Sequence, residues 1–568
     1  MNILGISAYY HDSSAALLID DTIIAAAQEE RFTRIKHDNG FPANACKYCL
    51  DEAGLTINEI DAIVFYEKPF IKFERILVSS IASFPKSLKM FLKIMPIWLK
   101  EKLNMRRLIS RELKAVFGNR PKQIKFIEHH LCHAAFAYSA SGYENADIVI
   151  VDAVGEWATT SIMKADRAKI EVLAEQRFPD SIGLLYSSFT QFIGFKVNSD
   201  EYKVMGLAPY GEKDSPQTQK YIKLIKDKII QNDGIFPQLN LSYFSFQYGD
   251  RMIREKKWEQ LFGIPMRQPT DDLEQSHKNL ALAIQIVTED LLQGILEYLK
   301  ANSGSNNLCI CGGVALNCAA NGTMLSKDIY SNIYVPFAPG DCGCSIGAAL
   351  AYSILINGKT KYQISPYLGP EYPDNEIEKC LIESDLNYSI CDDEQDLCCR
   401  TAQLIADGSI IGWFQGRMEL GPRALGNRSI LADARNPEMK DMVNSRIKFR
   451  EAFRPFAPSV MEEYADSYFA GCIKSPYMMF TYPVTAKILP ATTHIDETSR
   501  VQTVSETDNP KYYKLLKTFK ALTGCSAILN TSFNVMGEPI VCTPSDAIAT
   551  FKKSGLDYLV IGNFIVNK

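Results

Sequence analysis

The chain has 568 residues, of which 46% are hydrophobic and 22% charged, and its formal net charge is -5. This length exceeds what one hydrophobic core normally organises, so two or more domains are expected. The acidic balance argues against a protein that works mainly on nucleic acid, because such proteins carry basic surfaces. The 15 cysteines are scattered along the chain, which is typical of reduced thiols rather than of a disulfide framework.

The sequence contains no recognisable targeting segment. Met1 is followed at once by a strand-like run, without the pattern of a signal peptide. No apolar stretch reaches the ~20 uncharged residues that a membrane span needs. We therefore expect a cytoplasmic protein.

Two similar β-rich stretches open the chain. Residues 1–32 predict three strands separated by turns at 9–14 and at 20–21. A comparable unit returns at 146–178, where the apolar run 148–152 is followed by a partner strand at 157–163. Two such starts about 140 residues apart predict a duplicated α/β core.

A basic helical segment lies between these two units. Residues 70–114 carry about eleven basic and about three acidic residues, interleaved with Phe, Ile, Leu and Trp. This composition predicts an amphipathic helical segment that either lies on a membrane surface or binds a protein partner. The alternative is a helical insertion packed on its own domain with a solvated basic face.

The remaining elements divide the chain into two parts. The buried strand 308–311 runs into Gly312-Gly313 and a helix, a junction where phosphate can approach the backbone, although glycines also serve packing. After a helix at 345–355, the Gly- and Pro-containing residues 357–375 are the expected linker. The second part predicts a helix at 394–406 and strands at 409–416, 525–533, 537–542 and 558–566. We expect domains at 1–360 and 361–568.

A histidine pair suggests a metal site. On a helix spanning 127–138, His129 and His133 project from one face, whereas His130 points about 100° away and is left out. Asp152 ends an apolar run, where a carboxylate is costly unless paired, and Asp341 precedes a Gly-rich helix start, where it could also be a simple N-cap. Two His and two Asp favour a divalent transition metal, with iron(II) or zinc as candidates.

The second part contains an arginine-rich stretch, "GRMELGPRALGNRSILADAR" followed by "NSRIKFREAFRPFAPS". Several of its arginines stand beside Gly or Pro, which fixes their geometry, and planar guanidinium groups suit phosphate. The segment "ILNTSFNVMGEPIV" adds polar side chains at a strand end. Together they predict an anionic-ligand pocket, with a solvated charged face as the alternative. The basic residues offered are Arg417, Arg423, Arg428, Arg446, Lys448, Arg450 and Arg454.

The first part resembles a known superfold. The HxxxH pair, an aspartate before "GEWATTS", the sequence "GGVALN" and DxGxxxGA at 341–348 resemble the actin/Hsp70/sugar-kinase (ASKHA) superfold. Within that superfold they resemble the branch of the tRNA threonylcarbamoyl transferase. The resemblance implies a metal held by His129, His133, Asp152 and Asp341, and a nucleotide near Gly312, Gly313 and Asn317.

Across nearly its whole length, the chain is similar to the O-carbamoyltransferases of nodulation-factor and antibiotic biosynthesis. The motifs that carry this resemblance are "GISAYYHDSSAAL", "EERFTRIKHDNGFP", "YKVMGLAPYG", "MELGPRALGNRSILADAR", "FREAFRPFAPSV" and "LNTSFNVMGEPIV". The resemblance implies an α/β protein in which an ASKHA-like duplicated transfer domain is joined to a C-terminal α/β YrdC-like domain that makes carbamoyl-adenylate.

The family mechanism has two halves. In the first, the carbamoyl group of carbamoyl phosphate, once its own phosphate has left, attacks the α-phosphorus of ATP and yields carbamoyl-adenylate and pyrophosphate. In the second, the resemblance implies that Fe²⁺ or another divalent metal would hold the adenylate and that His11 would take the proton from an acceptor hydroxyl. The alternative for His11 is a turn histidine that only hydrogen-bonds Asp12 or a backbone group. The residues implied to bind carbamoyl phosphate and the nucleotide are Arg423, Lys448, Arg454, Arg500, Asn530 and Ser532.

Three readings of function follow. The first is an O-carbamoyltransferase that uses ATP and a small-molecule hydroxyl acceptor, with no nucleic-acid partner and with a homodimer as an open option. The second is a tRNA threonylcarbamoyl transferase, disfavoured by the fused second domain and by "GPRALG". The third is a non-catalytic nucleotide-binding regulator, disfavoured because both residue sets are retained. The identity of the acceptor cannot be read from these motifs.

Overall fold

The structure, a computed structural model, describes residues 1–100, 102–231 and 234–568. The chain forms two compact units. The first comprises Met1–Ile24 and Gly40–Ile364, and the second comprises Ala25–Asn39 and Ser365–Lys568. The sequence alone did not indicate that Ala25–Asn39 groups with the second unit.

The first unit contains two five-stranded sheets with the same topology. In each sheet a three-stranded antiparallel meander is extended by two parallel strands that pair beside its first strand. The order in one sheet is Thr22–Gln28, Ser14–Ile19, Asn2–Ser7, Ala62–Phe65 and Ile124–Phe126. The order in the other is Lys169–Arg177, Ala158–Asp166, Asn145–Val151, Asn307–Cys311 and Asn332–Tyr334. The repeated topology confirms the predicted duplication of the α/β core.

The first strands of both sheets are nearly continuous apolar runs, as expected for strands covered on both faces. The helices of the first unit are Ala43–Ala53, Pro69–Ala82, Leu88–Lys100, Met105–Phe117, His129–Ser141, Ile182–Phe192, Glu201–Leu207, Pro216–Leu224, Glu255–Phe262, Gln275–Ser303, Cys318–Ser326 and Cys344–Asn357. A short ribbon pairs Ile230–Gln231 with Gln238–Leu239.

Two helices bring the candidate metal ligands together. Helices His129–Ser141 and Cys344–Asn357 pack against each other so closely that a Cβ on Gly347 would lie 2.0 Å from the carbonyl oxygen of Cys132. Only glycine permits that backbone approach. The histidine helix is therefore held directly against the segment that follows Asp341.

The second unit is built on one mixed eight-stranded sheet. The order is Asn387–Ile390, Phe564–Asn567, Tyr558–Ile561, Ile411–Phe414, Arg428–Ala432, Ala527–Ser532, Ala457–Met461 and Gln502–Val504. A two-stranded ribbon pairs Thr481–Pro483 with Thr498–Arg500. The helices are Glu30–Thr33, Asp374–Glu383, Glu394–Ala406, Met439–Val443, Ala465–Tyr468, Pro510–Thr523 and Pro544–Lys553.

Two strand predictions need correction. The predicted strand 537–542 does not form, because the carbonyl groups of Pro539 and Ile540 accept hydrogen bonds from the Arg34 guanidinium instead of a neighbouring strand. The predicted strand 558–566 is a hairpin of two strands that turns at Gly562-Asn563. The basic segment 70–114 is helical, as predicted, and contains three α-helices; its Glu101 lies outside the described residues.

The structure describes one helix, Gln275–Ser303, that is long and apolar enough by length and composition to cross a membrane. Of its most apolar window, 61% is buried within the protein. That burial is typical of a core helix.

Candidate functional site

The metal-ligand helix begins at His129, two residues later than predicted, and a buried carboxylate holds its N-terminus. The backbone N–H of His129 donates to both carboxylate oxygens of Glu156, at 3.1 and 3.2 Å. The backbone N–H of Lys68 also donates to Glu156, at 2.8 Å. A carboxylate at this position satisfies a helix-end donor and fixes the helix start. Sequence reasoning missed Glu156, although it lies within the quoted "GEWATTS".

The four predicted metal ligands converge. The Nε2 atoms of His129 and His133 lie 3.2 Å apart. An oxygen of Asp152 lies 3.0 Å from His129 Nε2 and 3.4 Å from His133 Nε2. An oxygen of Asp341 lies 3.6 and 3.8 Å from the same two nitrogens. All four side chains are buried.

These contacts fit a bound cation. Two ring nitrogens that face each other at this distance are held together by whatever positive charge lies between them, a proton or a metal ion. Among the described residues, the second oxygen of Asp341 is buried without a hydrogen-bond partner. The Cys344 sulfur lies within 4.8 Å of the ligand atoms of His129, His133 and Asp341, and sequence reasoning also missed this residue. Nitrogen, oxygen and sulfur donors together suit a divalent transition metal.

A contact on its other ring nitrogen orients His133, whereas His130 bonds a residue outside the cluster. The Nδ1 atom of His133 lies 3.5 Å from the Cys311 sulfur, so its Nε2 faces the cluster. His130 bonds the Ser161 hydroxyl at 2.7 Å through Nδ1, and burial lowers its pKa well below the ordinary histidine value. Burial alone would raise the pKa of Asp152, but hydrogen bonds from His129 and His133 hold that pKa well below its usual range.

The predicted base, His11, has both ring nitrogens engaged. Its Nδ1 lies 2.9 Å from a carboxylate oxygen of Asp12, and its Nε2 lies 2.7 Å from the carbonyl oxygen of Asn198. Burial alone would lower the pKa of His11, but the bond and charge of Asp12 outweigh it and raise that pKa to about 9. In this arrangement His11 is an imidazolium at neutral pH, so it can accept a proton only after losing one.

We expect the substitution His11→Gln to destabilise the protein in a pH-dependent way. Because the folded-state pKa is raised from 6.5 to about 9, His11 stabilises the fold fully below pH 6.5 and loses that effect as the pH rises through about 9. The difference in unfolding free energy should reach roughly 2 kcal/mol at pH 6 and vanish near pH 10. Thermal unfolding of both proteins across this range measures it. A difference that does not change with pH would contradict the charged pair with Asp12.

Three residues of "GGVALN" have structural roles in close packing and helix capping. A Cβ on Gly312 would lie 2.3 Å from the Val151 carbonyl oxygen, and one on Gly313 would lie 3.1 Å from an Asp152 oxygen. Asn317 caps helix Cys318–Ser326 by accepting from the Ala320 N–H at 3.0 Å. As nucleotide-binding residues, Gly312, Gly313 and Asn317 stay predictions.

Three residues of the arginine-rich stretch are structural. Arg428 is fully buried, donates to four backbone carbonyl groups at 2.6–3.1 Å and stacks on Phe414. Arg417 donates to the carbonyl groups of Leu368 and Gly369, and Arg446 pairs with Asp557 at 2.9 Å. Arg417, Arg428 and Arg446 are therefore removed from the predicted anionic pocket.

Lys448 is the centre of the second candidate site. It is buried at the end of a π-helical turn, Asn444–Lys448, and the next residue, Phe449, has a left-handed φ of 46°. π-turns and left-handed non-glycine residues cluster at functional sites. The ammonium group donates to the carbonyl oxygens of Ser532 and Asn534, at 2.5 and 3.0 Å, and to the Asn534 side chain at 2.8 Å.

Positive charges surround Lys448. Burial lowers its pKa well below the ordinary lysine value, and the charges of Arg450, Arg454 and Lys36 lower it further. Within the described part of the chain, its hydrogen-bond partners are neutral oxygens of Ser532 and Asn534. Several cations close to a buried ammonium form a field that attracts an anion.

The other predicted residues lie on strands of the second unit or in the loops beside them. Asn530, on strand Ala527–Ser532, donates to the Ala424 carbonyl oxygen at 3.2 Å and to the Gln502 side chain at 2.9 Å. Asn530 therefore holds the backbone next to Arg423 and lies two residues along the sheet from Ser532. Arg500 precedes the edge strand Gln502–Val504. Arg454 lies 3.6 Å from Glu451.

The segment Ala25–Asn39 is the main contribution that sequence reasoning missed. Arg31 donates to the carbonyl oxygen of Gly421 in "GPRALG" at 2.8 Å, and Arg34 donates to the carbonyl oxygen of Ile540 at 2.7 Å. These bonds tie the segment to the arginine-rich loop and to the residues after strand Ala527–Ser532. The same segment supplies Lys36, whose charge acts on Lys448.

Comparisons with known proteins agree on one family. The family model for the carbamoyltransferase N-terminus matches residues 2–350, and the model for the carbamoyltransferase C-terminus matches residues 402–568. An uncharacterized protein of Synechocystis sp. is 45% identical over all of this chain and 97% of that protein. The nodulation protein NolNO of Sinorhizobium fredii is 37% identical over 99% of this chain and 80% of that protein.

Similar solved structures include the ROK hexokinase of Thermus thermophilus. It is 14% identical, with a TM-score of 0.28, and covers 62% of this chain and 98% of that protein. The predicted α/β fold, a duplicated α/β domain followed by a second α/β domain, is confirmed.

Proposed function

Because the chain belongs to the carbamoyltransferase family and is an enzyme that transfers carbamoyl groups, we propose that it works in two steps. It makes carbamoyl-adenylate from carbamoyl phosphate and ATP, and then passes the carbamoyl group to a hydroxyl of a small molecule. The observation that carries this proposal is the buried Lys448 side chain. Neutral oxygens of Ser532 and Asn534 hold its amino group, and the charges of Arg450, Arg454 and Lys36 act on it. This site offers a phosphate-bearing substrate the counter-charge that it needs.

The first step takes place in the second unit. Carbamoyl phosphate loses its phosphate to water, and an oxygen of the resulting carbamate attacks the α-phosphorus of ATP. The bond from that phosphorus to the β-phosphate oxygen breaks, and pyrophosphate leaves. Lys448, Arg454 and Arg423 bind the phosphate oxygens and stabilise the charge that grows on them. Ser532 and Asn534 keep the Lys448 ammonium in place.

The second step takes place in the first unit. The oxygen of the acceptor hydroxyl attacks the carbamoyl carbon, and AMP leaves with the former anhydride oxygen. His129, His133, Asp152 and Asp341 would hold a divalent metal, with Fe²⁺ first and another divalent ion as the alternative. Such a metal supplies Lewis-acid polarisation and a template for the adenylate.

The hydroxyl proton needs an acceptor in the second step. We assign this role to His11 once it has released its proton, because neutral imidazole is a suitable base. Breaking the bond between His11 Nε2 and the Asn198 carbonyl oxygen would free that nitrogen. Binding of the substrate next to Asp12 would break that bond.

The location and the partners of the enzyme follow from the same proposal. None of the fifteen cysteines, all of which lie in the described part of the chain, forms a disulfide, and thirteen are buried, which suits a reducing cytoplasm. A small-molecule acceptor, rather than tRNA, suits the net charge of -5 and the family of both units.

Pyrophosphate release tests the proposal. Purified protein, supplied with ATP and carbamoyl phosphate under reducing, iron-replete conditions, should release pyrophosphate, and omitting carbamoyl phosphate should stop that release. Labelled carbamoyl phosphate with a panel of hydroxyl compounds then reveals the acceptor. Release that does not depend on carbamoyl phosphate, or no release at all, would refute the first step.

A further inference from the structure

The helix Leu88–Lys100 presents an apolar stripe to solvent. At 100° per residue, Leu88, Leu92, Met95 and Leu99 lie within about 60° of one another on the helix surface. Leu88, Leu92 and Leu99 are 46%, 64% and 57% exposed. Monomeric soluble proteins rarely leave such a continuous apolar face uncovered.

The same exposure continues into the preceding helix and turn. Phe70 and Ile81, on helix Pro69–Ala82, are each 72% exposed, and Phe84 in the turn is 67% exposed. The acidic residue Glu74 is also exposed on that helix. We call residues 70–99 the apolar helix pair.

The rest of the apolar helix pair is anchored, so the exposed face is not a loose segment. Trp98 is buried and its ring lies 5.8 Å from that of Phe73 on the first helix. Arg75 donates to the Gly155 carbonyl oxygen at 2.8 Å, next to Glu156, which holds the start of the metal-ligand helix. The apolar face is thus attached to the same unit as the candidate metal centre and close to it.

Basic residues border the apolar stripe. Lys89 and Lys93 lie about 60–100° further around the helix, and Lys86 lies in the turn; all three are exposed. Lys93 lies 3.8 Å from the highly exposed Asp250, and Lys86 lies over the Tyr248 ring. Residues 70–114 contain eleven basic and three acidic residues, a net charge of +8 in a chain whose net charge is -5.

We propose that the apolar helix pair is a bilayer-binding surface that lies on an anionic lipid membrane. Exposed leucines would enter the boundary between headgroups and acyl chains, and the lysines beside them would meet the lipid phosphates. The charge contrast selects this occupant, because the rest of the chain is acidic and a second copy would bring the same basic face. The membrane would hold the first unit at the lipid surface.

Vesicle binding by the full-length protein tests this inference without using catalysis. The protein should sediment with sucrose-loaded vesicles that contain phosphatidylglycerol, and far less with vesicles of phosphatidylcholine alone. The double variant Lys89→Gln/Lys93→Gln should bind the anionic vesicles about thirty-fold more weakly. The triple variant Leu88→Ser/Leu92→Ser/Leu99→Ser should lose at least about tenfold in binding.

A matched control removes exposed apolar side chains elsewhere. Ile473→Ser/Ile495→Ser replaces residues that are 79% and 59% exposed in the second unit, and it should bind vesicles like the parent protein. All variants change exposed residues and should keep the parent's thermal midpoint. Equal binding to both vesicle types, or none to either, would overturn the proposal. Self-association that the leucine variant abolishes would assign the face to a second copy instead.

Discussion

Lys448→Ala should lower the rate of pyrophosphate release from ATP and carbamoyl phosphate by about a hundred- to a thousandfold, the usual cost of removing one preorganised charge from a phosphoryl transfer site. The Lys448 side chain is buried, and Ser532 and Asn534 already hold its amino group in place, so it acts on a bound phosphate as a positioned charge. Arg454→Ala should have a similar effect, because Arg454 is close enough for its charge to act on Lys448. Single-turnover pyrophosphate assays measure both.

The matched control for these variants is Arg446→Ala. Arg446 belongs to the same arginine-rich stretch but pairs with Asp557 and is 41% exposed. Its loss should leave the pyrophosphate rate within about twofold, since an exposed ion pair contributes at most about 1 kcal/mol. Lys448→Arg keeps the charge and distinguishes a lost cation from a disturbed Ser532–Asn534 turn. If Arg446→Ala is as damaging as Lys448→Ala, the pocket has been placed wrongly.

Part of the observed convergence of the four candidate metal ligands could be predicted from the sequence, because spacing and position fix two of the elements locally. His129 and His133 share a helix face because they are four residues apart. Asp152 directly follows a strand whose apolar residues make that strand predictable. Convergence of these residues with Asp341 required the repeated sheets and the helix contact at Gly347. Such long-range packing could be expected only through the family resemblance.

The arginine-rich stretch shows where residue type alone fails. Arg428 and Arg454 both stand in motifs with Gly or Pro nearby. The guanidinium group of Arg428, however, donates its hydrogen bonds to four backbone carbonyl groups. The partners of a guanidinium group are set by tertiary structure, which sequence spacing does not reveal. Lys36 was missed for the same reason, since it lies more than 400 residues away along the chain from Lys448 and reaches it only because Ala25–Asn39 groups with the second unit.

The sequence predicted that the basic segment is amphipathic and helical, but it did not predict where one helix ends and the next begins. The sequence indicated an amphipathic basic segment over 70–114, and the structure divides it into Pro69–Ala82, Leu88–Lys100 and Met105–Phe117. Pro85 lies in the turn between the first two helices, where proline cannot continue a helix. Amphipathicity alone did not decide which apolar side chains pack inward. Trp98 is buried, whereas Leu99 beside it is exposed.

His133→Ala should have the opposite kinetic signature to Lys448→Ala. It should leave pyrophosphate release within about twofold but lower carbamoyl transfer to an acceptor by about a thousandfold, because Lewis-acid stabilisation contributes several kcal/mol. His133 is fully buried, with its Nε2 3.2 Å from that of His129 and 3.4 Å from an Asp152 oxygen. Removing it takes one nitrogen donor from the cluster, so the metal content of the purified protein should fall with the transfer rate.

His130→Gln is the matched control for the metal centre. His130 is a buried neighbour on the same helix, but its ring bonds Ser161 rather than the ligand cluster. This variant should keep its metal content even if its thermal midpoint falls, whereas His133→Ala and His129→Ala should lose metal. Metal analysis of all three proteins therefore separates ligation from helix stability. Equal metal loss in His130→Gln would show that the helix, rather than the facing nitrogens of His129 and His133, determines binding. Loss of pyrophosphate release in His133→Ala would show that the two steps are not divided between the two units.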